Sequence, residues 1–222
     1  MRLAREIVTR YAPAADHPWM MNQAPSLILA SRSPRRAELL SRLGLSFEIV
    51  PAEIDESYRG DEMPAVHAER LAREKAIAVA REYPHALVIG SDTIVIIDNL
   101  VLGKPADRAE AVRMLRRLAD REHEVYTAVA VAQGTRIHSA VEPVRVRFRP
   151  LDDRECEDYA DTGEPMDKAG AYGIQGFGSA LVESIQGDYF AVMGLPVVRT
   201  LELLRRHGWR YAFGQGLVPA TR

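Results

Sequence analysis

The chain has a single cysteine, Cys156, among its 222 residues. An internal disulfide and a multi-cysteine zinc site are therefore excluded, which fits a reducing compartment. No apolar run reaches the roughly 18–20 residues that span a bilayer, and no signal-peptide core is present. The chain accordingly reads as cytoplasmic, with no membrane partner. A formal net charge of −2 lacks the excess of either sign that would draw the whole molecule to a polyanion, so any affinity for phosphate must come from local clustering. The histidines form no metal-binding pattern: "EHE" at 122–124 lacks the i, i+4 pair of a helical zinc site. Neither a Walker loop nor a nucleophile elbow occurs.

What is present is ordinary globular material, 47% hydrophobic and 27% charged, enough for one α/β domain with a single sizeable core or two small lobes. Residues 1–24 differ in pattern from the rest. They read as a short amphipathic helix carrying Arg2, Arg5 and Arg10 or as a transit peptide, and the preferred reading is an extension upstream of a translation start at Met20 or Met21. "SLILAS" (26–31) is a buried strand. Ser33 and Pro34 then open a helix that runs through Leu39, Leu40 and Leu43 to Gly44. "SFEIVPA" is a second strand leading into the acidic loop "EIDESYRGDE", and Pro64 begins a long helix to about Tyr83.

"ALVIGSDTIVIID" (86–98) reads as a buried strand interrupted by Gly90-Ser91-Asp92, which puts a carboxylate into an apolar run at high desolvation cost. A helix opens with Asp107 and Glu110 as a capping-box-like pair. Two long strands flank the turn after Gln133, and "VRVRFR" alternates strictly. A short polar helix ends at Gly163, a glycine-rich loop covers 163–179, "ALVESIQ" is a strand, and a last helix starts near Pro196. The tail from Trp209 has little pattern. The domain therefore spans 25–208, with 209–222 as a tail.

Several charged residues in this frame suggest chemistry. In "SRSPRR" a strand passes through a small polar turn into a helix, so Ser31, Ser33 and free backbone N–H groups make a phosphate cradle. Arg35 and Arg36 in the first helical turn oppose the helix dipole by a fraction of a kcal/mol. Guanidinium bonds to phosphate, each worth ~1.5–3 kcal/mol, more than offset this. Read alone, such a pair is more often solvated surface. Lys75 lies at helical spacing from Leu71, Ala72 and Val79, either facing inward or snorkelling. Lys104 sits in a stiff "GKP" loop, and Lys168 heads the glycine-rich loop. Asp92, with Glu53, Asp55 and Glu56 after the second strand, could hold Mg²⁺ or Mn²⁺ through oxygen ligands. The pattern points to metal-assisted phosphate chemistry with water as nucleophile.

The motifs "LILASRSPRRAELL", "AREKA", "GSDTIV", "GKP", "DKAGAYGIQGFGS" and "GLPV", in this order, resemble the Maf family of nucleoside triphosphate pyrophosphatases over about residues 26–206. The resemblance implies a mixed α/β fold like that of the inosine triphosphate pyrophosphatases, with two lobes around a cleft. It also implies a homodimer, a divalent cation, and conversion of a nucleoside triphosphate to the monophosphate and pyrophosphate. Asp92 would be the proton acceptor or would hold the cation. Arg35 or Arg36, Lys75, Lys104 and Lys168 would contact phosphate, and Glu53 would serve the metal. Arg35, Thr93 and Gln175 match the set found in members acting on dTTP and UTP. The alternatives are a 7-methyl-GTP or non-standard purine subclass, or a septum-formation regulator acting by binding. For the latter the stripe Arg145, Arg147 and Arg149 is the best feature, but no nucleic-acid partner is expected.

Overall fold

The computed structural model describes residues 9–11, 24–59 and 62–220. A mixed sheet runs in the order β1-β3-β2-β4-β6-β7-β8, with β5 as a short partner of β4. The strands are β1 (Thr9–Tyr11), β2 (Leu27–Leu29), β3 (Phe47–Ile49), β4 (Leu87–Ile97), β5 (Leu100–Leu102), β6 (Glu122–Gln133), β7 (Arg136–Phe148) and β8 (Val182–Gln186). The central strand β4 pairs parallel with β2 and antiparallel with β6. The helices are α1 (Pro34–Arg42), α2 (Pro64–Glu82), α3 (Arg108–Leu118), α4 (Asp153–Asp161), α5 (Tyr189–Met193) and α6 (Val197–Arg206). None among the described residues is long and apolar enough to cross a membrane.

Local sequence accounts for most helix ends. Pro34 and Pro64 occupy the first turns of α1 and α2, where no amide hydrogen is needed. Asp107 accepts from Glu110 N at 2.7 Å, but the Glu110 carboxylate accepts from Ala106 N, so the box is displaced by one residue. The full reciprocal capping box belongs to α4, between Asp152 and Glu155.

The structure adds β5 and α5, which the sequence reading did not contain, and departs from it in four further places. β4 is not interrupted at Gly90-Ser91-Asp92: its ladder to β6 continues through Gly90↔Ala130, Ser91↔Val129 and Asp92↔Ala128. The parallel pairing with β2 stops at Ile89, but β6 pairs all three residues along the other edge, which outweighs their poor strand propensity. The glycine-rich segment contains three short 3₁₀ turns, Glu164–Asp167, Ala169–Ala171 and Gly176–Ala180. The tail forms a hairpin of β9 (Trp209–Ala212) and β10 (Gly216–Pro219), anchored by buried Leu217 and by Tyr211 Oη donating to Leu43 O at 2.9 Å. At the other end, Thr9–Tyr11 extend along β3 as an antiparallel edge strand instead of a helix. Most of the 1–24 reading lies outside the described residues.

Two cores flank the sheet and a third lies at its far end. Alternation along β4 assigns Leu87 and Ile89 to the core under α1 and α6, and Val88, Ile94 and Ile96 to the core under α2. On the α2 face, Ala68, Ala72 and Ala76 meet Ala128, Ala130 and Ala132 of β6, small against small, so helix and sheet approach closely. Gly90 is the tightest point. A Cβ there would lie 2.3 Å from Ala72 O and 2.7 Å from Ala76 N. Gly90→Ala must therefore lift α2 from the sheet. The expected loss is about 1–3 kcal/mol, the usual cost of overpacking, measured by urea unfolding; unchanged stability would contradict this packing.

The third core holds a buried polar pair. His123 Nε2 lies 2.8 Å from Tyr172 Oη, with the ring edge-on to Phe148, and burial pulls its pKa down from 6.5 to about 4. The unfolded chain binds the proton more readily, so stability is full above pH 6.5 and falls as pH drops toward 4. The expected loss is about 3 kcal/mol. In His123→Gln that part of the acid limb should flatten, as read from unfolding midpoints at pH 4.5 and 7.

Candidate active site

The α2–β4 contact that Gly90 permits also sets the first charged group of the site. Asp92 follows Gly90 by two residues and so faces α2, where Lys75 is the residue before Ala76. Lys75 Nζ lies 2.8 Å from Asp92 Oδ1 and 3.0 Å from Glu56 Oε1. Both members of the Lys75–Asp92 pair are buried, and Lys75 does not snorkel. Glu56 is about half exposed. Burial opposes its ionisation, but Lys75, Lys104 and Arg36 outweigh that effect and its pKa is lowered.

The alternate residues of β4 face the other way. Ser91 Oγ is 2.7 Å from Ala128 O and 2.9 Å from Gly194 O. Thr93 Oγ1 lies 3.0 Å from the Thr127 hydroxyl, which donates to Ala191 O at 2.7 Å. Arg36 enters here and donates to Gly194 O at 2.7 Å, Ser31 Oγ at 3.1 Å and Thr93 Oγ1 at 3.4 Å. Burial lowers its pKa and nearby Asp92 partly restores it. Ser31 Oγ also accepts from Ser33 N at 3.1 Å. Arg36 therefore joins β2, β4 and the turn after α5. Arg35 points instead to the opposite lobe, formed by the loop after β5 and the glycine-rich segment after α4, where it bonds Asp167 at 3.1 Å. Two adjacent arginines thus have different tasks: one knits the floor and the other reaches across the cleft.

The second lobe contributes Lys104, Lys168 and Gln175. Lys104 is exposed, and the loop before it is held by Gly170 N donating to Gly103 O at 3.0 Å. Lys168 donates to the Asp167 carboxylate and to Glu164 O. Between the lobes lies a cleft of about 880 Å³, within the range of small-molecule sites. Its wall includes Ser31, Ser33, Arg35, Arg36, Glu56, Lys75, Asp92, Thr93, Lys104, Lys168 and Gln175, every sequence-predicted site residue but Glu53 and Asp55. Glu53 is not part of the wall. Its side chain is 83% exposed and 3.6 Å from Arg32, and Glu56 occupies the position facing the cleft. Asp167, Glu164 and Tyr159 were not singled out from sequence; the only signal was the adjacency of Asp167 to Lys168 in "MDKAG".

Among the described residues, no three His, Cys, Asp or Glu side chains converge as a ready-made metal site. Asp92 and Glu56, meeting at one ammonium, supply two carboxylates. That set is too small for an all-protein cage, but it fits a Mg²⁺-like ion, which binds through one or two carboxylates and completes its shell with substrate phosphates and water. The arginine stripe on β7 is largely neutralised. Arg147 pairs with Asp120 and Glu183, Arg149 with Glu155, and Arg145 lies 4.0 Å from Glu122. Cys156 is buried and burial raises its pKa, so it is a packing residue and not a nucleophile.

Curated relatives named dTTP/UTP pyrophosphatase include those of Symbiobacterium thermophilum (53% identical, covering 82% of this chain and 94% of that protein) and Moorella thermoacetica (54%, 82% and 95%). That of Aquifex aeolicus is 45% identical, covering 81% and 94%. Among solved structures, a HAM1 protein from Coxiella burnetii aligns at a TM-score of 0.43 and 17% identity, covering 72% of this chain and 81% of that one. The profile described as Maf-like protein matches residues 26–207, and with relatives near 50% identity over four-fifths of its length, the chain belongs to the Maf family.

Proposed function

We propose that this protein is a nucleoside triphosphate pyrophosphatase that hydrolyses dTTP and UTP to the monophosphate and pyrophosphate, within a catalytic domain spanning residues 25–208. The observation that carries this reading is the Lys75–Asp92–Glu56 cluster, a buried carboxylate–ammonium pair opening into a cleft whose other wall bears Lys104 and Lys168 and which Arg35 crosses from α1. The relatives' name supplies the substrate. Water attacks the α-phosphorus, the bond from that phosphorus to the bridging oxygen breaks, and pyrophosphate leaves with the electron pair. Asp92 orients the water and takes its proton, while Lys75 holds the carboxylate in place.

A triphosphate carries close to four negative charges. Lys104, Lys168 and Arg35 balance them and stabilise charge moving onto the leaving group. A divalent cation, Mg²⁺ or Mn²⁺, when bound with the substrate at Asp92 and Glu56, supplies Lewis-acid polarisation of the phosphoryl oxygens. Arg36 acts indirectly, through its bonds to Ser31 and Thr93.

The Gln175 side chain has no hydrogen-bond partner among the described residues and is free to read the base. Its amide both donates and accepts, matching the N3–H and O4 of uracil or thymine, whereas a glutamate would only accept and suits the donor edge of guanine. This favours the pyrimidine substrates over 7-methyl-GTP. The neutralised β7 stripe disfavours action by nucleic-acid binding. A cytoplasmic homodimer serving nucleotide-pool housecleaning completes the reading.

Two variants test it. Asp92→Asn should lower kcat for dTTP and UTP by about a hundredfold or more while the protein stays folded, because Lys75 keeps Glu56 as a partner at 3.0 Å. Pyrophosphate release near the wild-type rate would refute the assignment. Gln175→Glu should shift the ratio of kcat/KM for UTP over GTP toward GTP by about tenfold; an unchanged ratio would remove Gln175 from base selection.

A further inference from the structure

Gln175 is held by its neighbours on both sides, and a single pair of side chains does the holding. Gly173 N donates to Tyr159 Oη at 3.2 Å. Phe177 N and Gly178 N donate to the two carboxylate oxygens of Glu164 at 2.9 and 3.0 Å. Tyr159 Oη closes the arrangement by donating to Glu164 Oε1 at 2.8 Å. The carboxylate thus ties both backbone amides after Gly176 to the hydroxyl that holds Gly173.

The glycines show how closely the loop is drawn onto this pair. A Cβ on Gly176, where φ is +64°, would lie 2.5 Å from Glu164 Oε2, and one on Gly178 would lie 2.7 Å from Tyr159 Oη. Glu164 also fixes the cation at the head of the loop, since its carbonyl accepts from Lys168, whose other partner Asp167 is bonded by Arg35. None of these contacts involves a nucleotide, and neither Tyr159 nor Glu164 lines the cleft.

We propose that Tyr159 and Glu164 form a positioning pair that sets nucleobase selectivity, by holding the Gln175 amide in a fixed orientation in the cleft that Thr93 and Arg35 also line. This rests on the reading of Gln175 as the base-reading residue. Without the pair, the segment from Gly173 to Gly178 loses three backbone anchors. The Gln175 amide then no longer has a set position from which its donor and acceptor can select a pyrimidine edge.

The test compares wild type with Tyr159→Phe, Glu164→Gln and Glu164→Ala, each checked for folding by thermal unfolding. Hydrolysis of UTP and GTP is measured, together with equilibrium binding of both nucleotides in EDTA. In Glu164→Ala the UTP-over-GTP preference should fall about tenfold, the factor corresponding to one hydrogen bond of about 1.4 kcal/mol. It should fall through a higher KM for UTP, with kcat for GTP unchanged or raised. Glu164→Gln retains one acceptor oxygen and should lie between wild type and Glu164→Ala; Tyr159→Phe should show a smaller fall of the same kind. If Glu164→Ala does not fold, the two conservative variants decide. Equal loss for UTP and GTP, with the preference unchanged, would make the pair merely structural and overturn the proposal. Absence of hydrolysis by wild type with any nucleotide would overturn the proposed function instead, and the binding preference in EDTA would still decide this inference.

Discussion

The architecture of the site depends on how closely α2 lies against β4. Backbone meets backbone at Gly90, where even a methyl group would lie 2.3 Å from the Ala72 carbonyl oxygen, and the alanines on both sides extend this close contact along the helix. Such an approach is possible only where side chains are nearly absent, because interiors are filled to crystal-like density. Its consequence is electrostatic. The Lys75 ammonium, carried on the same turn as Ala72 and Ala76, is brought to Asp92 two residues further along the strand, and two groups that would each be costly to bury alone become a pair. Farther away, Lys75 would have to reach solvent and Asp92 would be a buried, uncompensated charge.

From that fixed pair the cleft is built outward in two directions. Alternation along β4 turns Thr93 to the opposite face, where Arg36 links it to Ser31 and to Gly194. One strand thus supplies both a carboxylate to the α2 side and a hydroxyl to the α1 side. The glycine-rich segment forms the facing wall, and its glycines serve close approach to Glu164, Tyr159 and Lys168 more than flexibility. Arg35 spans the two walls through Asp167. Positive charge is therefore concentrated where the walls face each other, although the chain as a whole is slightly acidic. This is the local clustering that a nearly neutral protein needs in order to hold a polyanion.

Much of this was legible in the sequence. Patterns with a strong local cause were readable: the apolar run and Ser-Pro start of "SLILASRSP", the carboxylate in an apolar strand at Asp92, and the glycines around Gln175, whereas helical spacing left Lys75 open between facing inward and snorkelling until the structure buried it. Elements that depend on distant partners were not. β4 continues through Gly90-Ser91-Asp92 because β6 completes its ladder, and the tail becomes a hairpin because Leu43 and the core around Leu217 receive it. Neither partner is near in sequence. The β7 arginines alternate like a binding stripe, and only cross-strand and inter-element carboxylates show them to be neutralised.

By itself, then, the sequence determined the chemistry available: which residues could carry charge, which faces had to be buried, and the ordered motifs that tie the chain to its family. Tertiary structure alone decided how that chemistry is distributed. Glu53 and Glu56 stand three residues apart in one acidic loop, and no local rule distinguishes them, yet Glu53 turns to Arg32 at the exposed rim while Glu56 meets Lys75. Arg35 and Arg36 are neighbours with the same side chain, yet one is interior and one crosses the cleft. Successive helical residues point about 100° apart, so what each one meets is set by the other elements packed around α1, and those come from distant parts of the chain.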